Sequence, residues 1–460
     1  MANCESMCVA TFDMSLQDYL AEEESKKLGA VSTPQEIVEF MIDVAGIKEW
    51  KGLKILEPGC GFCSFTRRIY CKYPNNEFRG VEINEDVIKF IKEKFPKPCL
   101  EIFKIEKEDF LLWQTDERFD LVIGNPPYGI PGSKRFPIRV PEKTREMYRR
   151  LFVTAKGKYN MYGYFIEKGV KLLKNGGKLV YIIPSTFMIL DEYSKLRKFL
   201  SITGELDIYY LGWGVFKGRK VGVSVIVVTK DPSLRGVLKL YEVRNYLTRD
   251  VKYWYTKCDF KGEIIRFENE ETRKFEEGKP KLEYLFMLYT GPRSTDYDNY
   301  PLRSRAPKEG YVCVLKGENI QPNAIDYNKC PSGLWIPKDS VKNFGDFLTV
   351  PHIVVGDTKG GTMGTKMVAA VDYKCYPWRE QIHLIPKVSM SMKELEDITK
   401  YLNSEDVKKY IKTLYKEITP HTTRTQLRLL PLPKEYWKYL KGPQASSAAS
   451  SSKLTCSQDS

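Results

Sequence analysis

The segment 119–129 constrains the fold of this 460-residue chain more than any other stretch. Leu121-Val122-Ile123 is a short, continuous apolar run, which is typical of a strand buried on both faces of a parallel sheet. The run ends at Gly124, and the two prolines that follow are compatible neither with a helix interior nor with a central strand. Because open α/β sheets place their sites just beyond the carboxyl ends of strands, we expect the residues after Gly124 to face a crevice.

The residues that follow this strand have the chemistry needed to hold a planar amino group. Asn125 offers a side-chain oxygen as an acceptor, and Pro126 offers a backbone oxygen whose direction is fixed by the locked φ of proline. Together these two oxygens can accept both hydrogens of an exocyclic amino group, while Tyr128 offers a face on which a flat base can stack. The alternative is a proline-rich turn in which Tyr128 caps the core.

Residues 53–65 predict a strand, a glycine turn and a helix. Gly59 and Gly61 let the backbone approach a ligand closely, and the N-terminus of the following helix favours negative charge. The third glycine of a dinucleotide-binding fingerprint is missing, because position 63 is Cys. A ligand with a carboxylate suits such a turn, and Glu57 is its acidic residue. A nucleotide-binding loop is the alternative.

Three further segments carry candidate binding residues. Glu82 ends the next predicted strand about 20 residues later, where a carboxylate can take both hydroxyls of a ribose. A surface glutamate at a strand end is the alternative. Asp109-Phe110 follows a third short segment and, taken alone, would be an acidic loop. Thr33-Pro34 predicts the start of an amphipathic helix, with a hydroxyl cap followed by proline at the first helical position.

The segment 213–220 lies between two predicted strands, 206–211 and 221–228. Its Phe216 stands among glycines and basic residues, and an exposed phenylalanine is unfavourable unless it contacts something. We expect the ring to stack on an extruded base while Lys217, Arg219 and Lys220 hold phosphates. The alternative is a hydrophobic plug at the end of a hairpin.

Alternating strands and helices from 53 to 228 predict a doubly wound α/β domain. Beyond about residue 245 the alternation stops, and short strands, turns and aromatic residues dominate, with helices expected only near 392–416. The predicted organisation is therefore an N-terminal segment at 1–25, an α/β domain at 26–248, a mainly-β/α+β domain at 249–440 and a disordered Ser/Ala-rich tail at 441–460.

Composition restricts the compartment and the partners. A formal charge of +14 suggests a polyanionic partner, although an ordinary basic surface is an even alternative. The 11 cysteines lack paired metal spacing, Cys60-x-x-Cys63 is a lone pair, and the chain has 3 histidines. We therefore expect reduced thiols and no metal site. Without an apolar run of about 18 residues or a signal peptide, the sequence predicts a cytoplasmic protein with no membrane partner.

The motifs and their order resemble the γ arrangement of the adenine-N6 DNA methyltransferases, enzymes that use S-adenosylmethionine (SAM). The likeness is closest to the TaqI-type enzymes of restriction-modification systems and covers nearly the whole chain. It extends to four further segments, 157–160, 262–268, 332–335 and 376–380. The chain departs from the family in the cofactor loop, 59–63, and in a longer loop around Phe216.

The resemblance implies a Rossmann-like SAM-dependent methyltransferase domain followed by a target-recognition domain. It implies an adenine-specific DNA methyltransferase that flips its target base out of the duplex, acts on TCGA and protects DNA from a cognate restriction enzyme. We expect a monomer that binds double-stranded DNA and SAM, uses no metal, and does not bind the endonuclease.

The resemblance also assigns roles to residues of this sequence. Catalytic roles fall to Asn125, Pro126, Tyr128 and Phe216. Cofactor contacts are implied for Thr33, Glu57, Pro58, Gly59, Glu82, Ile83, Asp109, Phe110, Asn125 and Phe165. DNA contacts are implied for Lys217, Arg219, Lys220 and Arg293.

Two rival functions remain. A protein-glutamine methyltransferase shares Asn-Pro-Pro-Tyr, but it needs no large basic second domain, so the residues beyond 250 argue against it. A catalytically silent subunit that binds SAM and DNA is the other rival, and the intact Asn125-to-Tyr128 segment argues against it.

Overall fold

The computed structural model describes residues 33–94, 101–131, 140–154, 160–216, 221–357 and 366–440. The chain divides into two compact units, the first ending at Ile265 and the second beginning at Arg266. The boundary that we expected after residue 248 lies inside a hairpin of the first unit, so the division moves to residue 265. The segments 1–25 and 441–460 lie outside the described residues, as do Lys217, Arg219 and Lys220.

The first unit contains one mixed sheet, in the order β3-β2-β1-β4-β5-β7-β6-β8-β9. Strands β1 to β5 are parallel, β7 runs antiparallel to both of its neighbours, and the β8–β9 hairpin forms one edge. The strands are β1 (Lys54–Pro58), β2 (Glu77–Glu82), β3 (Ile105–Lys107), β4 (Phe119–Gly124), β5 (Leu173–Pro184), β6 (Glu205–Gly212), β7 (Val223–Thr229), β8 (Leu238–Asn245) and β9 (Asp250–Lys257). The predicted doubly wound α/β domain is confirmed.

The order of the strands reverses between β1 and β4. From this pair, β2 and β3 continue on one side and β5 on the other. Connections leave such a pair on opposite faces, so a crevice opens at the carboxyl ends of its strands. Pro58 ends β1 and Gly124 ends β4. The glycine turn and the Asn125 segment therefore meet at the same crevice.

Helices pack on both faces of this sheet. The predicted apolar face of the first helix is fully buried, and it shares one core cluster with α2, α3 and one face of the sheet. On the other face, α5 approaches so closely that a Cβ on Gly169 would lie 2.7 Å from a methyl group of Leu179, which would have to shift. The helices are α1 (Gln35–Val44), α2 (Ser64–Lys72), α3 (Glu85–Lys94), α4 (Glu142–Leu151), α5 (Met161–Leu172) and α6 (Ser194–Thr203). No helix within the described ranges is long and apolar enough to cross a membrane.

The second unit is built on an antiparallel sheet in the order β10-β17-β15-β16. Its strands are β10 (Phe286–Thr290), β11 (Tyr311–Cys313), β12 (Ile320–Gln321), β13 (Ala324–Ile325), β14 (Trp335–Pro337), β15 (His352–Asp357), β16 (Met367–Asp372) and β17 (Ile382–Pro386). Its helices are α7 (Glu270–Glu276), α8 (Leu282–Leu285), α9 (Ser294–Asp298), α10 (Met392–Leu402), α11 (Glu405–Tyr415) and α12 (Arg424–Arg428). The predicted α+β character is confirmed, as are the helices near 392–416. The expectation of helices only there is wrong, because α7, α8, α9 and α12 are too short to show a helical period.

A buried aspartate organises the turn that precedes Trp378. Asp372 ends β16, and its carboxylate accepts hydrogen bonds from the Trp378 indole at 2.8 Å and from the Tyr327 hydroxyl at 2.8 Å. It also accepts from the backbone N–H groups of residues 374–376 at 3.0–3.1 Å. These donors satisfy a carboxylate that is completely removed from solvent. The segment 376–380, one of the family-like segments, therefore owes its shape to a residue outside it.

Cys313 and Cys330 form a disulfide in the second unit. The expectation of reduced thiols is wrong for this pair. The pairing of β11 with β14 sets Cys313 opposite Trp335, close to the segment that contains Cys330. The Cα atoms of the two cysteines are 5.7 Å apart. Free thiols among the described residues include those of Cys60, Cys63, Cys71 and Cys375.

Two histidines form a buried pair in the second sheet. His352 Nδ1 lies 2.6 Å from the Val350 carbonyl oxygen and must therefore donate. In the neutral ring, His352 Nε2 then accepts from His383 Nδ1 at 2.8 Å. Burial lowers the pKa of both rings, and the neighbouring His352 lowers that of His383 further.

We expect the second unit to lose stability as the pH falls below about 6.5, the ordinary pKa of histidine. Because both pKa values are lowered in the folded state, the unfolded chain binds protons that the native pair does not. The free energy of unfolding should then fall by up to about 1.4 kcal/mol per pH unit for each histidine. Urea unfolding at several pH values, followed by amide exchange in the β15 peptide, measures this slope.

The third histidine provides the control, because the His421 side chain is exposed. The slope should persist in His421→Gln and decrease in His383→Gln. The same slope in wild type and both variants would contradict the assignment to the buried pair.

Candidate active site

Asn125 is held at the end of β4 by a hydrogen bond to the start of α1. Its side-chain nitrogen donates to Thr33 Oγ1 at 3.1 Å, between residues 92 positions apart in the chain. The sequence predicted that Thr33 caps α1, and this prediction is wrong. Pro34 is the cap residue, and no side chain caps the helix. The bond turns the amide nitrogen towards α1, so the oxygen of the same planar group lies on the opposite side.

The turn that follows is tied to two neighbouring elements. The Gly129 N–H donates to Asn160 Oδ1 at 2.8 Å, and the Met161 N–H donates to the Gly129 oxygen at 2.9 Å. The Tyr128 hydroxyl donates to the Ile182 carbonyl on β5 at 2.9 Å. Sequence reasoning missed the role of Asn160, whose position just before α5 looks like that of an ordinary cap.

Phe216 is buried rather than exposed, so the expectation of an exposed ring is wrong. It is 5% exposed, and Val215 beside it is 8% exposed. Both side chains pack on the core, where burial of apolar surface is favourable. Its ring nevertheless lies beside Tyr128, with centroids 6.4 Å apart and planes at 73°. The hydrophobic-plug alternative describes this arrangement.

The glycine turn after β1 is fixed by its backbone and by Glu57. Gly59 and Gly61 have φ values of 60° and 50°, the left-handed region that favours glycine. Glu57 is buried and accepts from the first N–H groups of α2, those of Phe65 at 3.3 Å and Thr66 at 2.7 Å. Burial raises the pKa of Glu57 to about 7, while these hydrogen bonds oppose the shift. Glu57 thus holds the junction between turn and helix.

The two cysteines by which the turn departs from the family pattern have buried side chains. Cys63 takes the place of a glycine with φ of 57° and is 1% exposed, and Cys60 is 5% exposed. A hydrogen bond between the two thiols and their burial raise the pKa of Cys60. Both side chains belong to the core and not to the crevice.

Glu82 links the end of β2 to the glycine turn. One carboxylate oxygen accepts from the Gly61 N–H at 2.8 Å and the other from the Asn84 N–H at 2.9 Å. Each oxygen can accept a second hydrogen bond, so the carboxylate can still take hydroxyl groups. Burial raises the pKa of Glu82. The next residue, Ile83, is 53% exposed and offers an apolar surface beside the carboxylate.

Asp109, Phe110 and Phe165 form the far wall of the crevice. Asp109 Oδ1 accepts from the Leu111 N–H at 3.0 Å. Phe110 and Phe165 are buried, with ring centroids 5.0 Å apart. A Cβ on Gly59 would lie 3.4 Å from the Phe165 ring, so the aromatic wall reaches the glycine turn.

These residues fit a ligand that combines a carboxylate, a ribose and an adenine. The turn offers backbone N–H groups, Glu82 offers acceptors for hydroxyl groups, and Ile83 offers an exposed apolar surface. Because the Ile83 side chain is about half exposed, a flat ring can lie against it. Within the described ranges, no cluster of three or more His, Cys, Asp or Glu side chains is placed to hold a metal ion.

In the second unit, Arg293 is exposed on a turn that is braced by the two residues just before β17. The Gly291 N–H donates to the Gln381 oxygen at 2.7 Å, and the Glu380 N–H donates to the Pro292 oxygen at 3.0 Å. A cavity of about 380 Å³ borders the turn. Its lining comprises Thr290, Pro292, Asp296, Asn343, Phe344 and Phe347.

Known proteins match both parts of the chain. The Eco57I restriction-modification methylase family matches residues 62–211, and the TaqI-like C-terminal specificity domain matches residues 312–432. The type II methyltransferase M.TthHB8I of Thermus thermophilus is 41% identical over 408 residues, which are 88% of this chain and 91% of that protein. The modification methylase CviBIII of Paramecium bursaria Chlorella virus NC1A is 28% identical over 53% of this chain and 59% of that protein.

A solved structure supports the fold. The cryo-EM structure of the DrdV–DNA complex is similar with a TM-score of 0.53 and 15% identity, covering 80% of this chain and 50% of that chain. The methylase match includes β4 and the Asn125 segment and begins just after the glycine turn, and the specificity-domain match lies in the second unit. With a relative of 41% identity along nearly its whole length, the chain belongs to the SAM-dependent type II DNA methyltransferases of restriction-modification systems.

Proposed function

We propose that this protein transfers the methyl group of SAM to N6 of an adenine flipped out of duplex DNA. The target site is TCGA, and the modification protects DNA from a cognate endonuclease. The observation that carries the proposal is the fixed amide of Asn125, whose nitrogen is engaged by Thr33. An amide anchored in this way offers its oxygen to a donor, and an exocyclic amino group is a planar donor of two hydrogens.

The protein has to make the adenine amino nitrogen more nucleophilic and to direct its lone pair at the methyl group. The lone pair of an adenine amino group is delocalised into the ring and is a poor nucleophile. Hydrogen bonds to Asn125 Oδ1 and to the Pro126 oxygen draw the nitrogen towards tetrahedral geometry and direct its lone pair. SAM, when bound, supplies an electrophilic methyl group on a sulfonium. One N–C bond forms, one S–C bond breaks and one amino proton is lost, and positioning contributes on the order of several kcal/mol.

The base has to leave the helix before this can happen. Extrusion costs roughly a few kcal/mol, which stacking in the site offsets. Tyr128 and Phe216 are the stacking partners in this proposal, because their rings are neighbours at the end of β4. Tyr128 stays a neutral phenol, since burial raises its pKa well above the ordinary value.

The cofactor residues have distinct tasks in this proposal. Glu82 accepts hydrogen bonds from the ribose hydroxyls, and Asp109 accepts one from the adenine amino group. Ile83 and Phe110 flank the adenine ring. Glu57 acts through the turn that it holds. Pro58, Gly59, Phe165 and Thr33 shape the same crevice.

The second unit reads the DNA in this proposal. Arg293 presents a planar cation on a braced turn, and arginine can bind guanine with two hydrogen bonds or fill a gap in a base stack. The TCGA site itself rests on the resemblance to TaqI-type enzymes. A palindromic site of this length can be served by a monomer that methylates one strand per visit.

Removal of the Asn125 side chain should abolish most methyl transfer while SAM binding remains. We expect Asn125→Ala to lower kcat by about 100-fold or more, as loss of an oriented transition-state partner does. Thr33→Val, which leaves Asn125 but removes its anchor, should have a smaller effect, and Thr33→Ser should restore activity. Tritium transfer and calorimetric SAM titration measure the two properties, and full activity of Asn125→Ala would exclude the mechanism.

Stacking of the flipped base can be measured with 2-aminopurine at the target position. Base stacking on an aromatic ring contributes roughly 1–3 kcal/mol, so Phe216→Leu should lower the flipped fraction. Leucine is chosen because truncation of a buried phenylalanine to alanine costs about 3–5 kcal/mol of stability. Tyr128→Phe keeps the ring and loses only the bond to Ile182, so it should flip normally. An unchanged flipped fraction in a folded Phe216→Leu would restrict Phe216 to the core.

Duplexes that carry every single-base variant of TCGA test the site and its reader. Wild type should prefer TCGA, and Arg293→Ala should lose selectivity at one position by about 10- to 100-fold, equivalent to roughly 1–3 kcal/mol. Arg293→Lys keeps the charge without the planar fork, so it should restore affinity more than selectivity. Equal wild-type rates on all duplexes would dismiss the site, and an Arg293→Ala enzyme of unchanged selectivity would dismiss the reader.

A further inference from the structure

Helix α4 presents one buried side chain, that of Tyr148, to the rest of the first unit. The helix is otherwise rich in charge and is exposed or half-buried along its length. Tyr148 is 3% exposed, and its hydroxyl donates a hydrogen bond to Asp109 Oδ2. The helix thus contacts the candidate adenine-binding carboxylate through its one buried residue.

The hydroxyl is held in place by ring packing. The Tyr148 and Tyr164 rings have centroids 5.8 Å apart, and Phe152 stacks on the same Tyr164 at 5.2 Å. Tyr164 lies on α5 and is completely buried. The phenol therefore cannot swing away from Asp109 without disturbing a packed aromatic group.

Asp109 is engaged from two sides. Its Oδ1 accepts from the Leu111 N–H at 3.0 Å and its Oδ2 accepts from Tyr148. Two donors on different oxygens fix the plane of a carboxylate, whereas one would leave it free to rotate. Each oxygen retains the capacity for a further hydrogen bond.

We propose that Tyr148 is a positioning residue for recognition of the cofactor's adenine. By donating to Asp109 Oδ2, it sets the carboxylate plane so that a remaining lone pair accepts a hydrogen of the adenine amino group. The inference rests on the proposed role of Asp109 and extends it to a helix that no cofactor motif includes.

A tyrosine suits this task better than a cation. A neutral phenol orients the carboxylate through one hydrogen bond, whereas a cation with several donors would compete with the adenine amino group for the same oxygens. Burial and the neighbouring Asp109 raise the pKa of Tyr148, so it stays protonated and can donate. The nearby Lys168 donates instead to the Trp113 carbonyl at 2.6 Å.

The test compares S-adenosylhomocysteine with its inosine analogue, in which an oxo group replaces the 6-amino group. We expect wild type to bind the amino ligand about 10- to 100-fold more tightly in calorimetric titrations. Tyr148→Phe should reduce this preference by about 5- to 10-fold, mainly by weakening the amino ligand. Tyr181→Phe is the matched control, because its completely buried hydroxyl has no hydrogen-bond partner among the described residues.

The outcomes separate the role of Tyr148 from that of Asp109. Equal weakening of both ligands by Tyr148→Phe, with thermal unfolding showing a folded protein, would overturn the proposal and leave a helix anchor. Tighter binding of the amino ligand would overturn it too, because the hydroxyl would then compete with adenine. If Asp109→Ala keeps the preference, the proposed role of Asp109 fails. If Asp109→Ala loses the preference and Tyr148→Phe keeps it, only the role of Tyr148 fails.

Discussion

The pairing of β1 with β4 is the constraint on which the rest of the first unit depends. Residues 55–56 pair in parallel with 121–122, so both strands end at the same edge, one in a glycine turn and the other at Gly124. A Cβ on Gly124 would lie 3.6 Å from the Pro58 oxygen, which shows how closely the two ends approach. Since the strand order reverses at this pair, the connections leave on opposite faces of the sheet, and a crevice opens between two strand ends of different chemistry.

Acidic side chains around this crevice accept hydrogen bonds from backbone N–H groups of the protein. Glu57 binds the start of α2, Glu82 binds the glycine turn, and Asp109 binds the Leu111 N–H. A buried carboxylate without partners would be highly unfavourable, so these bonds are a condition of burial. They also fix the direction of each oxygen before a ligand arrives. The same principle operates in the second unit, where Asp372 holds the turn that leads to Trp378.

The features that the sequence predicted depend on neighbouring residues, whereas those that it missed join residues far apart in the chain. Glycine and proline limit the backbone locally, so the strand ends at Pro58 and Gly124 could be predicted from the sequence. The bond from Asn125 to Thr33 spans 92 positions and that from Tyr148 to Asp109 spans 39, and no local pattern marks either one. The expectation for Phe216 was wrong because flanking glycines and basic residues suggested exposure, whereas the ring packs in the core. The Cys313–Cys330 disulfide likewise follows from strand pairing and not from spacing.

The burial of Phe216 is consistent with a role in base stacking. In water, an exposed phenylalanine would be unfavourable, so without DNA the ring packs with Tyr128 and the core. An edge-to-face aromatic pair contributes roughly 0.5–1.5 kcal/mol, whereas stacking on a base contributes roughly 1–3 kcal/mol. Exchange of the first contact for the second is therefore favourable only as long as the ring keeps its other contacts with the core. In the proposed function, a ring that packs against Tyr128 before DNA binds avoids the penalty of standing exposed beforehand.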